Sequence, residues 1–565
     1  MEYDLKIVGG LIVDGSGAPG YHGEVGVKAG KIVALGAAPG PAARVLDAHD
    51  LVVSPGFIDI HTHYDAQVIW DRMLTVSPWH GVTSVVIGNC GFSLAPTRPA
   101  HRDIVIRTLE NVEGMTAAAL TAGLGEEWPF ETFPEYLQAL AAHGLAINVG
   151  ALIGHTALRT YVLGEEATER DATALEIATM RRLVCEAMEA GALGFATSKA
   201  ITHVGYQGKP VPSRRASLDE ILALAGGLVD ADRGGIVQAT IGPELAFDEF
   251  AAINRATGRP VSWTALLAGA ALTGENAHEQ LVRSEALQQQ GLAIFPQVTP
   301  RPLNFEFQLK APFIFEAMRM FRPVSEADHE GKKAIYRDPA FRAQLWERLE
   351  HKAPALFRSG FRGTTITDVP GHPELGERAL FEYAAAVGKT PVAALLDLGL
   401  NTDLEARFRM PVANHEEDQV EPLLKSRATV LGLSDAGAHA SQLCDACLST
   451  YLLRRWVREK RVFALEEAVR MLTTRPAEVF GITDRGRLAV GMAADIVLFD
   501  PATVGDKPLR RVRDFPSGAD RLVSDATGID TVVVNGEVLR RDNRDVVDPE
   551  GPLPGRVLRN GRATH

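Results

Sequence analysis

The chain has 565 residues, well above the size at which a single hydrophobic core stops growing, so one large domain with a smaller one appended is expected. Its 46% apolar and 23% charged residues are those of a folded globular protein, and a formal net charge of −13 disfavours nucleic acid and anionic membrane surfaces as partners. A small molecule fits better. The opening MEYDLKIVGG lacks a basic region followed by an apolar stretch, and no run of about 18 apolar residues suggests a membrane span, so a cytoplasmic protein is expected. Self-association into a homo-oligomer stays open. Four cysteines, Cys90, Cys185, Cys444 and Cys447, are too few for a disulfide framework in a chain this long, and Cys444 and Cys447 form a lone CxxC read as packing.

Short apolar runs separated by glycine-rich turns open the chain, at Leu5 to Val8, Leu11 to Val13, Val25 to Val27 and Lys31 to Leu35. The same texture returns at Asp495 to Phe499 and Thr531 to Val534, followed by the turn signal Asn535-Gly536. Neither end has enough strands for a stable sheet alone, so residues 1–54 and 485–545 are expected to pair into one small β-sandwich. Residues 546–565 remain as a C-terminal tail.

Between the ends, strand-length apolar runs alternate with amphipathic stretches. The runs are Gly56 to Ile60, Val82 to Ile87, Ile147 to Ile153, Gly194 to Thr197, Gly235 to Ala239, Pro260 to Thr264, Ala293 to Val298 and Thr429 to Leu433. Eight such units give the α/β fold class, a (β/α)8 or TIM barrel over residues 55–484. A helix is expected before the fourth run, where Leu175, Met180, Leu183, Val184, Ala187 and Met188 share a face before Gly191. Residues 301–427 exceed an ordinary connection, are mostly helical in pattern, and read as an insertion capping the site.

In this barrel class the chemistry sits at the C-terminal strand ends. The first run leads into Asp59-Ile60-His61-Thr62-His63, which places two imidazoles on one face of an extended segment and suits a divalent metal. The second leads to Asn89-Cys90-Gly91, the third to Gly154-His155, and the fourth to Ser198-Lys199 and then His203. After the eighth come Ser434-Asp435-Ala436-Gly437-Ala438-His439, where Asp435 could bind metal and carry a proton.

Val53 to His63 (VSPGFIDIHTH), Thr473 to Gly481 (TTRPAEVFG) and Gly486 to Val497 (GRLAVGMAADIV) resemble the amidohydrolase superfamily over essentially the whole chain. Gly88 to Ser93 (GNCGFS), Val149 to His155 (VGALIGH) and Leu433 to His439 (LSDAGAH) are similar to its D-aminoacylase branch, the N-acyl-D-amino-acid deacylases. The resemblance implies an enzyme cleaving carbon–nitrogen bonds other than peptide bonds, acting on a small-molecule amide. It further implies one or two zinc ions held by His61, His63, Cys90 and Asp435, with Asp435 also the general base.

Two positions depart from the branch pattern. Histidines follow its fifth and sixth strands, whereas this chain reads Val237-Gln238-Ala239-Thr240 and Val261-Ser262-Trp263-Thr264. Lys199, carbamylated as in related amidohydrolases, is one replacement ligand; an ordinary lysine facing a substrate carboxylate is the other reading. His155, His203 and His439 are taken as weaker substrate-binding candidates. Three alternatives stay open: hydrolysis of another linear or cyclic amide, a metal-free binding scaffold, and a Cys90 nucleophile activated by His155.

Overall fold

The computed structural model describes residues 2–205, 208–269, 274–316 and 318–563. Its centre is a parallel sheet of eight strands in sequence order, here β1 (Phe57–Asp59), β2 (Val82–Ile87), β3 (Asn148–Gly154), β4 (Gly194–Ser198), β5 (Ile236–Thr240), β6 (Val261–Thr264), β7 (Ile294–Val298) and β8 (Val430–Leu431). Each overlaps one of the eight runs picked out in the sequence. The strands are buried on both faces, which is why they read as continuous apolar runs instead of alternating ones. The sheet curls into a barrel and is joined end to end just beyond β1 and β8, where Thr62 bridges Ala436 in parallel and the His63 amide donates to the Ala436 carbonyl at 2.7 Å. That join holds the two loops carrying His61, His63 and Asp435 side by side.

The helix before β4 runs Ala174–Ala190, started by a Thr173–Glu176 capping box and ended by Gly191 at φ 114°. Met180, Val184, Ala187 and Met188 face the barrel, but Leu175 is 78% exposed because it lies in the first turn, before the helix meets the sheet.

Both chain ends enter one nine-stranded sheet: Val52–Pro55 pairs antiparallel with Ile496–Phe499, which pairs with Ile529–Val534. Asn535 and Gly536, at φ 48° and 86°, make the tight turn into Glu537–Arg541. The sheet closes over an apolar core of its own that includes Leu5, Ile7, Val25, Val27, Ile32, Leu498 and Val533. Buried Asp495 ties this sheet to the barrel floor, accepting from the Asn535 amide at 2.7 Å and from Asn148 Nδ2 at 2.9 Å while paired with Arg485.

The insertion after β7 is rich in helices, which pack around a small sheet that its pattern does not announce. Strands Leu303–Gln308, Thr365–Asp368, Arg378–Ala379 and Arg407–Ala413 form a four-stranded sheet at its heart, packed with helices around Phe307, Phe315, Tyr336, Leu395 and Phe408. The tail also has a place: the Val149 amide donates to the Arg556 carbonyl at 2.9 Å, and Leu558 is fully buried among residues from inside the barrel. Among the described residues no helix is long and apolar enough to cross a membrane.

Candidate metal centre

His61, His63 and Cys90 meet at the barrel mouth, buried, with one ligand atom from each lying within 4.8 Å of the others. Cys90 Sγ is 3.5 Å from His61 Nε2. Asp435 Oδ1 lies 3.4 Å from His61 Nε2 and 3.8 Å from His63 Nε2, and its side chain is 28% exposed where His61 is 1%. The three N and S donors are therefore sealed in, and the carboxylate stands at the open edge. Several backbones are held in left-handed conformations to achieve this: Cys90 at φ 56°, Leu433 at 64°, Asp435 at 46° and His439 at 48°. Such clustering of costly conformations is characteristic of functional loops.

Each donor is oriented by a neighbour. Gln297 at the end of β7 places Oε1 2.8 Å from His61 Nδ1, and its Nε2 donates to Ser262 Oγ at 3.0 Å. The Nδ1 proton is thereby fixed, leaving the Nε2 lone pair toward Cys90 and Asp435. His63 Nδ1 faces Glu113 Oε1 at 3.1 Å. The Cys90 amide donates to Gln238 Oε1 at 2.7 Å. Glu113 escapes sequence reasoning: it is the last residue of the helix Arg102–Glu113, with no motif around it and only the Gly114 terminator beside it.

Burial alone would push the Cys90 thiol up, but His61 and His63 outweigh it and hold the pKa at about 6. Burial likewise opposes charge on His63, and Glu113 and Cys90 overcome it to raise that imidazole well above its ordinary value. A thiolate, two imidazoles with aimed nitrogens and an adjacent carboxylate are the donor set zinc prefers, and three N or S ligands with an open fourth side is the catalytic pattern.

Other sequence candidates lie elsewhere. Lys199 Nζ donates to the Arg214 carbonyl at 2.9 Å and faces Glu244 at 3.5 Å. Those partners suit an ammonium, and Lys199 is not gathered with His61, His63 and Cys90. His155 is fully buried with both ring nitrogens engaged, Nδ1 to Thr197 Oγ1 at 2.8 Å and Nε2 to Glu220 at 3.0 Å, so it is free neither to bind substrate nor to activate Cys90. Trp263 does not hold a site position, because it packs outward against Phe247 and Phe250. The side chains of β6 that join the polar layer at the mouth are Ser262 and Thr264, one residue to either side. His439 lies beside the centre, its amide donating to the Glu113 carbonyl, and His203 sits 2.6 Å from Ser198 Oγ through Nδ1 and packs on Phe92; burial, opposed by Glu113, holds both imidazoles below their ordinary pKa. Phe305 of the insertion packs edge-on to His439 at 5.5 Å, so the insertion borders the mouth.

The profile of the amidohydrolase family matches residues 44–540. The chain belongs to the amidohydrolase family. This amidohydrolase is 31% identical to N-acyl-D-glutamate deacylase of Alcaligenes xylosoxydans xylosoxydans over 99% of this chain and 97% of the relative, and 30% identical to D-aminoacylase of the same organism over 98% and 97%. Its fold matches the crystal structure of D-aminoacylase at a TM-score of 0.65 and 27% identity, covering 98% of this chain and 99% of the other. It also matches N-acyl-D-glutamate deacylase from Bordetella bronchiseptica, solved with zinc and a phosphonate mimic of the tetrahedral intermediate, at a TM-score of 0.65 and 29% identity over 99% and 100%.

Proposed function

We propose that this amidohydrolase is a zinc-dependent deacylase that hydrolyses the amide bond of an N-acyl-D-amino acid. One observation carries the reading: the Asp435 carboxylate stands at the open edge of the buried His61, His63 and Cys90 donors. Those three residues would hold the ion. Zinc bound there supplies a Lewis acid that eases ionisation of water and polarises an amide carbonyl.

The chain's own residues do the rest. Asp435 takes the proton of the attacking water as oxygen adds to the carbonyl carbon, then delivers it to the amide nitrogen as the C–N bond breaks, yielding a carboxylate and a free amine. Partial exposure lets it reach both water and leaving group. His203 and His439 border the same space and are assigned to substrate contact. Likeness over the whole chain to an N-acyl-D-glutamate deacylase and a D-aminoacylase supports the substrate class. Four unpaired cysteines suit a reducing compartment, so the reading places the enzyme in the cytoplasm.

The test is a panel of N-acetyl-D- and N-acetyl-L-amino acids with acidic and apolar side chains, assayed for free amine. Release from D substrates, lost in Asp435→Asn, is expected; release from L substrates alone would contradict the substrate class.

A further inference from the structure

A cavity of about 590 Å³ lies apart from the metal centre and shares no residue with it. That volume is in the range of small-molecule sites. Its walls include Lys425 and Arg427, which lead into β8, Arg470 and Arg475 on the helices Leu465–Leu472 and Thr474–Phe480, and Ser16 and Gly17 from near the start of the chain. These residues gather where the chain enters β8, whereas Asp435 follows that strand.

The chain has a net charge of −13, yet four basic side chains surround this one cavity and face few acids. Lys425 pairs with Glu421 at 2.6 Å and Arg470 with Glu467 at 3.4 Å. Arg427 and Arg475 have no ion-pair partner among the described residues. Arg475 is half-buried, and backbone and ring contacts fix its guanidinium. Nη2 donates to the Arg427 carbonyl at 2.8 Å, Nε donates to the Thr429 carbonyl at 3.4 Å, and Cζ lies 5.0 Å from the centre of the Phe295 ring. Arg470 is held by the Gly17 turn, where a side-chain carbon would come within 3.1 Å of its Cδ. Burial and then the like charge of Arg470 lower the Arg475 pKa, with Glu478 opposing them. Like charges held together in a half-buried wall are relieved by an anion placed between them.

We infer that this cavity is an anion-binding site that takes a small molecule through a phosphate or carboxylate group, held by Arg427, Arg470 and Arg475. Guanidinium groups present paired N–H donors that match the oxygens of either anion. The inference does not depend on the hydrolase reading, because no residue of the cavity takes part in that reaction.

Thermal unfolding of the full-length protein with inorganic phosphate or citrate, compared with sodium chloride at equal ionic strength, tests this. A saturable rise in midpoint is expected from phosphate, citrate or both, and none from chloride. Phosphate acting alone would name a phosphoryl group, and citrate alone a polycarboxylate. In Arg427→Gln with Arg475→Gln the apparent affinity should fall about tenfold or more, the loss expected from removing two charge-assisted hydrogen-bond partners. Should that double variant not fold, Arg427→Gln alone changes only an exposed side chain and should weaken binding in the same direction. The rise should persist in His61→Ala with His63→Ala, which lacks the donors that could hold an oxyanion through zinc. No saturable rise, equal affinity in the arginine variant that folds, or a rise lost in the histidine variant would overturn the anion site.

Discussion

Gln297 Oε1 lies 2.8 Å from His61 Nδ1, and this contact decides which nitrogen of His61 faces Cys90 and Asp435. It joins the segment that follows β1 to the end of β7, 236 residues away in sequence. Gln297→Met keeps the volume but frees the ring to rotate and change tautomer. Zinc affinity is expected to fall about 10- to 100-fold, the usual cost of losing such a partner. Chelator competition reads this directly, and unchanged affinity would show that packing alone orients His61.

Asp435→Asn separates proton transfer from metal retention. With three donors intact, the variant should keep its zinc while turnover drops about 10²- to 10⁴-fold, the range supplied by a positioned acid–base group. Metal analysis and a rate measurement on the same sample decide it. Loss of the metal would instead make Asp435 an essential ligand.

The glycine in the Asp435 loop is required by geometry. Gly437 sits at φ 97°, and a side-chain carbon there would come within 2.5 Å of the His63 carbonyl oxygen. Gly437→Ala must push the loop away from the segment that carries His61 and His63. A stability loss of roughly 1–3 kcal/mol and a fall in turnover of about tenfold or more are expected, read by thermal unfolding and steady-state kinetics.

Much of this was legible in the sequence, for physical reasons. Buried parallel strands must be apolar on both faces, so eight runs stood out, and an HxH after the first put two imidazoles on one side of an extended chain. What stayed hidden depended on register and on long-range contacts. Which residue of Val261-Ser262-Trp263-Thr264 meets the site depends on strand register: side chains alternate, the large Trp263 ring goes to the helix layer, and Ser262 and Thr264 are left to the mouth. Glu113 is one of 71 acidic residues and reaches His63 only because the barrel returns its helix end to the mouth. Lys199 and His155 follow strands as ligands do, but each found a polar partner nearer than the metal donors. The insertion's sheet was missed because its strands pair across about a hundred residues, as Phe307 does with Phe408.

Away from the centre, His80 gives the fold a pH response. Its Nδ1 is 2.7 Å from Thr450 Oγ1 and its Nε2 2.9 Å from the Ser524 carbonyl. Burial holds its pKa down to about 4, against about 6.5 in an unfolded chain. The native ring stays neutral where the unfolded one protonates. Its contribution to stability is therefore complete above pH 6.5 and is lost as pH falls from there toward 4, by on the order of 3 kcal/mol. Chemical unfolding of the parent and His80→Gln across this range should show a steeper acid loss in the parent. Equal slopes would mean that His80 protonates in the native state.

The proposed reaction needs a metal held by the buried donors His61, His63 and Cys90. The most direct measurement is hydrolysis of an N-acetyl-D-amino acid by chelator-stripped protein as zinc is returned, in the parent and in His61→Ala with His63→Ala. Activity that is absent without zinc, rises to a plateau at one equivalent and never appears in the variant is the predicted result. Full activity in the stripped protein, or equal activity in the variant, would contradict it.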